Sequence, residues 1–230
     1  ASALIILVPC SARTAVILGA VANFVGWSYA VLIFLIELGL IATVGWGLHK
    51  FLSGESSGLV MEMFPFRVPS PSAILKKTWF RFKDFAFVAF PIVTLGSLVM
   101  GALYETQVLW AIAKLIGPII QSLLGLPAVA GICLILGVLR KELTLELLVA
   151  LAIAQYGSGA QSLLNFMTPI QIFVFALVVT IYIPCVATVA VLGRELGWKN
   201  AILLMLFTIV LALLMGAIAY RIIPFLGILR

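Results

Sequence analysis

Uncharged stretches dominate this chain. Residues 85–104, 115–139 and 200–220 carry no Asp, Glu, Lys or Arg, and neither does the whole of 147–193. About 20 apolar residues take a helix across a bilayer, so runs of this length place the chain in lipid. The composition agrees: 64% of the 230 residues are hydrophobic and 10% charged, where a soluble domain is roughly half apolar and about a quarter charged. Soluble globular, disordered and disulfide-rich secreted classes are excluded. The length allows roughly five to eight membrane helices and leaves no room for a sizeable soluble domain. The expected fold is an all-α, polytopic membrane helix bundle.

The charge-free runs set the expected spans. Residues 14–36 and 38–48 flank one acid, Glu37. Residues 147–193 are too long for one helix and are divided by the polar patch Gln155 to Gln161. Two short apolar segments, 126–139 and 143–156, meet at Arg140-Lys141-Glu142. Each is about 14 residues, or about 21 Å of helix, which is short of a ~30 Å core. They read as half-helices meeting at a charged turn. Small residues recur every four positions, at Gly39, Thr43 and Gly47 and at Ser97 and Gly101. Such ridges let helices approach closely.

The net charge of +6 comes from 14 basic against 8 acidic residues. The basic residues sit beside apolar stretches, as the positive-inside rule expects. No aromatic-interleaved basic stripe points to nucleic acid. Most of the charge falls in 49–84. Residues Ser53 to Pro71 are rich in Gly, Ser and Pro and read as loop. The remainder reads as a basic amphipathic helix, with Leu75, Trp79, Phe82 and Ala86 on one face and Lys77 and Arg81 elsewhere. Such a helix lies in the membrane interface, here on the cytoplasmic side. Residues 106–123 form a second amphipathic candidate, with Gln107, Lys114 and Gln121 along one line. The chain opens inside an apolar run, Leu4 to Val8, and is expected to be the C-terminal piece of a longer protein.

Three cysteines, Cys10, Cys133 and Cys185, lie in apolar surroundings. The odd count argues against a disulfide framework. Cys133 has no Pro and no charge nearby and reads as packing. The other two share a pattern. Pro9-Cys10-Ser11-Ala12 runs on to Leu18-Gly19, and Pro184-Cys185-Val186-Ala187 to Leu192-Gly193. Each is followed by Gly-Trp, at Gly26-Trp27 and Gly197-Trp198. Weak internal symmetry of this kind suggests two related halves of a transporter.

Proline inside a helix frees the carbonyl four residues back, here that of Ile5 and of Thr180. The helix that restarts after it presents a positive N-terminus beside the cysteine, which favours thiolate. Arg13 shares a helical face with Cys10 and adds to that effect. Thiolate sulfur with harder oxygen suits a borderline transition metal better than Na⁺ or Ca²⁺. Each cysteine also reads as a small buried apolar residue beside a common kink, and the two readings stand together on chemistry alone.

At these motifs the chain resembles the C-terminal membrane region of the ferrous iron transport protein B (FeoB) family. Pro9-Cys10-Ser11-Ala12-Arg13 is similar to its first-gate motif. Met61 to Pro65, with Trp79, Arg81 and Lys83, is similar to its central cytoplasmic segment. Leu139-Arg140-Lys141-Glu142-Leu143 resembles its second-gate charged motif, and Tyr182 to Thr188 with Glu195 to Lys199 its late cysteine motif. The resemblance implies a multi-pass Fe²⁺ importer of the cytoplasmic membrane with a gate-type internal repeat. It divides the chain into the end of a first gate region (1–48), a cytoplasmic loop with the basic helix (49–84) and a second gate region with the last helices (85–230). It makes Cys10 and Cys185 the metal contacts. It implies GTP and Mg²⁺ only through an N-terminal G domain absent here, since no G-x-x-x-x-G-K-[ST] occurs. A small accessory protein and a homo-oligomer are further partners it allows.

Other charges are candidates for the ion path or its gate. Glu37 lies inside an apolar span, where acids are costly and functional by default; the alternative is an ion pair with Arg13. Arg140, Lys141 and Glu142 form either a surface turn or a latch of opposed charges. Glu142 and Glu146, four apart, share a helix face. His49 beside Lys50 reads as a surface anchor. No constellation for covalent enzyme chemistry is present, so the expectation is a transporter portion and not an enzyme. A gate-type carrier of nucleosides and a membrane scaffold docking a partner through 72–84 are the alternatives.

Overall fold

The computed structural model describes residues 7–51, 70–84, 86–87, 90–91, 94–95, 98, 101–102, 117–118, 120–137, 141, 144–156, 163–182 and 185–225. Regular structure among them is entirely helical. The basic loop from Ser53, Arg67 included, most of 106–123, and Arg140 and Glu142 lie outside the described residues.

Proline and glycine set the boundaries. After Pro9 the chain is extended at Cys10, then enters α1 (Ser11–Val16) and a wide π-type stretch, Ile17–Ala22. Helix α2 (Trp27–Phe51) follows. The break is at Gly26, whose φ of +134° suits glycine alone. Glu37 therefore sits in the middle of α2. The amphipathic α3 (Pro71–Asp84) comes next, as its periodicity predicts. Helices α4 (Ala128–Leu136) and α5 (Thr144–Tyr156) pack on each other as a hairpin of two short helices, as the half-helix reading expects.

Helix α6 (Pro169–Ile181) is the centre of the bundle. Every residue from Ile172 to Ile181 is buried. A helix without a polar face must be covered on all sides, and α6 packs against α1, the wide stretch, α2 and the last helix, α8. Its start is fixed by a capping box. Gln171 N–H donates to Thr168 Oγ1 at 3.4 Å, Thr168 N–H donates to Gln171 Oε1 at 2.9 Å, and Pro169 supplies the preset φ. Gln171 Nε2 also donates to Gly125 O at 2.6 Å and so ties α6 to a turn 46 residues away.

The sequence repeat has a structural counterpart. Cys185 is the extended residue before α7 (Val186–Leu196), Gly197 follows at φ +83°, and α8 (Trp198–Phe225) runs on from there. Both halves thus read cysteine, short helix, positive-φ glycine, long helix beginning with Trp. Trp27–Gly47 and Trp198–Ile223 are, among the described residues, the two helices long and apolar enough to cross a membrane. At 1.5 Å per residue α2 and α8 span about 37 and about 42 Å, more than a ~30 Å core, whereas α6 spans about 20 Å. Both long helices turn large apolar side chains outward, among them Leu35, Leu38, Leu203 and Leu214. Lipid-facing helices do this, and the chain is a membrane protein.

Among the described residues, nothing lies within 4 Å of a Cβ position at Gly39, Gly47 or Gly101, so the predicted ridge on α2 meets no partner there. Close approach occurs instead at Gly216, where a Cβ would lie 2.5 Å from Val178 and 2.6 Å from Leu124. Four-residue spacing marks a face, and here burial of Glu37 and Leu40 turns that face of α2 away from the core.

Candidate functional site

The broken ends of α1, α6 and α7 share a buried charge cluster. Arg13, Glu37, Lys141 and Thr180 are each at most 4% exposed. They come from α1, α2, the α4–α5 connection and α6, so four separate stretches of sequence supply them. Arg13 and Lys141 lie within coulombic range of Glu37 and of both Cys10 and Cys185. The two predicted thiols thus address one electrostatic centre. Cys10 is exposed and Cys185 half-buried.

Each thiol stands at the N-cap of a restarting helix. Thr14 N–H and Val189 N–H donate to the carbonyls of Cys10 and Cys185, both at 3.0 Å. Neither sulfur caps its own helix; Cys185 Sγ lies 3.2 Å from Thr188 Oγ1. Arg13 is held near the first break, with Nη1 3.5 Å from Val8 O.

Lys141 is the largest fully buried side chain of the described residues. Its ammonium donates to Val179 O at 2.8 Å and to Tyr182 O at 3.1 Å. It also stands 4.8 Å from the centroid of the Tyr182 ring. The helix explains these partners. The last α6 bond runs from Tyr182 N–H to Val178 O, and Tyr182 is extended. Among the described residues, the carbonyls after Val178 have no intrahelical donor. A cation at the negative end of the helix dipole completes them. The surface-turn reading of Lys141 is thereby corrected, because the side chain points inward to the α6 break.

The other candidates divide. Thr180 Oγ1 donates back to Leu177 O at 2.8 Å. Its hydroxyl hydrogen is thus spent on that carbonyl; Thr180 stands beside Glu37, whose oxygens meet no hydrogen-bond geometry with it. Among the described residues, both Glu37 oxygens are buried without a hydrogen-bond partner. Glu146, in the first turn of α5, is exposed and apart from this cluster. Arg140 and Glu142 fall outside the described residues, as do Ile5 and Pro184. Cys133 is fully buried among apolar residues, and burial holds it as packing. His49 is exposed at the end of α2, where Lys50 lies 5.3 Å from the Trp46 ring.

Tyr182, Val179 and Thr144 escape sequence reasoning. Tyr182 donates its hydroxyl to Leu134 O and so pins α4 to the α6 break. Thr144 Oγ1 is buried without a partner. Only Tyr182 carries a signal, as an aromatic two residues before a membrane proline. The i–4 rule points to the Thr180 carbonyl, whereas the early end of α6 offers Val179 and Tyr182. Among the described residues no three His, Cys, Asp or Glu side chains gather as a metal cluster.

Comparison with known proteins gives two family matches. One, described as ferrous iron transport protein B C terminus, covers residues 30–81. The other, described as Gate, nucleoside recognition, covers 86–199. A curated relative named Fe(2+) transporter FeoB from Methanocaldococcus jannaschii is 28% identical over 90% of this chain and 34% of its own length. Relatives of the same name from Staphylococcus aureus (strain MSSA476) and Salmonella typhimurium are 28% and 33% identical over 74% and 40% of this chain. The chain spans 34% and 28% of the length of the Methanocaldococcus and Staphylococcus relatives. No solved structure matches it.

Proposed function

We propose that this chain is the C-terminal membrane region of a ferrous iron transport protein B and forms the permeation path for Fe²⁺ through the cytoplasmic membrane. Fe²⁺ is the substrate. Cys10 and Cys185 are its sulfur contacts, and Glu37 is the nearby carboxylate. The observation that carries this reading is the pair of matched breaks, each with a cysteine at a helix N-cap and both within range of the same buried cations. Sulfur ligands replace part of the water shell of a borderline metal. Alternating movement of the two gate halves then exposes the site to either side in turn.

The chain crosses the membrane several times, with 49–84 on the cytoplasmic side. GTP and Mg²⁺ act through a G domain outside this chain, and an accessory protein and self-association remain its further partners. The test is Fe²⁺ uptake by the full-length transporter. Cys10→Ser and Cys185→Ser should each lower uptake at least tenfold at equal membrane levels; unchanged uptake in the double variant sinks the reading. The Gate match favours one alternative, a nucleoside carrier. Such a carrier would be inhibited by nucleosides and indifferent to both serine variants.

A further inference from the structure

The oxygen atoms at the broken end of α6 are already occupied by a cation, and that cation belongs to the chain. Lys141 Nζ holds Val179 O at 2.8 Å, Tyr182 O at 3.1 Å and the Tyr182 ring at 4.8 Å. Backbone carbonyls at an unwound helix end, with an aromatic face beside them, are the groups that receive ions at the middle of transporters. Among the described residues, both Glu37 carboxylate oxygens and Thr144 Oγ1 are buried without a hydrogen-bond partner. Glu37 is 3% exposed and lies in coulombic range of Lys141.

We propose that the Val179 and Tyr182 carbonyls, with Glu37, form a divalent-cation site, and that Lys141 is its tethered occupant, displaced when the transported metal enters. This deepens the transport reading and rests on it. Charge forces the exchange. With Arg13, Lys141 and Glu37 ionised the cluster carries one net positive charge, and a divalent ion added beside both cations would be repelled in a medium of low dielectric. Removing Lys141 lets the metal take the carbonyls and gain Glu37. Arg13 stays at the α1 break, near Val8 O. Lysine suits the role, because a compact ammonium on a flexible four-carbon stem can withdraw as a unit. The empty path is thereby closed by a plug of the cargo's own sign. Ions too weakly held to outcompete an ammonium are excluded.

The experiment uses the full-length transporter in nanodiscs under anaerobic conditions, with Mn²⁺ and Fe²⁺ as probes. Equilibrium dialysis should give Lys141→Met an affinity at least tenfold tighter than wild type, and Lys141→Arg no gain. In wild type, acylation of the Lys141 amine, read by mass spectrometry, should rise at least threefold when Mn²⁺ is added. If Lys141→Met melts like wild type, affinity decides: no tightening overturns the proposal. If it does not fold, labelling of the wild type decides: unchanged reactivity overturns it. Either failure accompanied by loss of uptake in Cys10→Ser and Cys185→Ser leaves the transport reading standing. Uptake indifferent to the cysteines, with no metal bound by any form, is failure of the transport reading itself.

Discussion

Lys141 meets Tyr182 twice, donating to its backbone carbonyl at 3.1 Å while standing over its ring at 4.8 Å. One residue of α6's end therefore serves the ammonium with two kinds of electron density. The same tyrosine gives its hydroxyl to Leu134 O, so the contact joins the α4–α5 hairpin to the break in α6. Tyr182→Phe keeps the ring and the carbonyl and loses the hydroxyl bond to a buried acceptor. It should lower stability by about 1–3 kcal/mol, measured by thermal unfolding in detergent, and leave the cation contact in place.

Glu37 sits without a hydrogen bond in reach of two buried cations. Glu37→Gln preserves its shape and removes its charge. Fe²⁺ uptake should fall at least tenfold while the protein remains in the membrane at wild-type level. Full uptake in that variant would make the carboxylate a fold element only.

Glycines divide into those that hold a conformation and those that hold space. Gly197→Ala meets no neighbour but must adopt φ +83°, at a cost of about 1–3 kcal/mol for residues forced into that region. Gly216→Val collides with Val178 and Leu124, and overpacking costs about 1–3 kcal/mol or more. Gly39→Ala meets nothing and should gain up to about 1 kcal/mol from helix propensity. Melting temperatures of the three variants should fall, fall and hold or rise.

Gln171 closes the capping box and also bonds Gly125 O. Thr168→Ala removes one capping oxygen and should cost about 1 kcal/mol. Gln171→Ala removes that reciprocal bond together with the long-range one, and should cost at least as much again. Equal melting temperatures for the two variants would contradict the added role of Gln171.

Helix α3 presents Leu75, Trp79 and Phe82 to the outside, with the Trp79 and Phe82 rings 6.0 Å apart. In proteoliposomes, the fluorescence lost in Trp79→Phe should be quenched by brominated lipid. The quenching should weaken when anionic lipid is removed, since each Lys or Arg near an anionic surface contributes about 1 kcal/mol. A Trp79 signal untouched by brominated lipid would place the helix away from the interface.

Local rules made part of this legible in advance. Pro9, the Pro-Cys repeat and the Gly-Trp pairs gave the breaks and the long helices, because proline and glycine act through their own backbone. Helix α3 followed from periodicity. Lys141 followed only in part, since a basic residue between Arg140 and Glu142 reads equally as a surface turn and as a latch of opposed charges. Its burial depends on where α6 ends, 40 residues later. Glu37 reads in sequence as an acid inside an apolar span, and α2 holds it there, while Gly26 carries the break before that helix. The α2 ridge shows the limit of spacing, which reveals a face and not what lies opposite.

The outward leucines of α2 and α8 have a consequence for how the protein holds its shape. In hydrocarbon an apolar side chain gains nothing by turning inward, because its surroundings are alike on either side. The many exposed apolar residues of these helices therefore cannot select one arrangement over another. That choice falls to shape, at points such as Gly216, and to the few polar links between distant segments, at Gln171 with Gly125 and Lys141 with Val179. A lipid tail can imitate leucine, but it offers neither a carbonyl nor an amine, so these bonds have no competitor in the solvent.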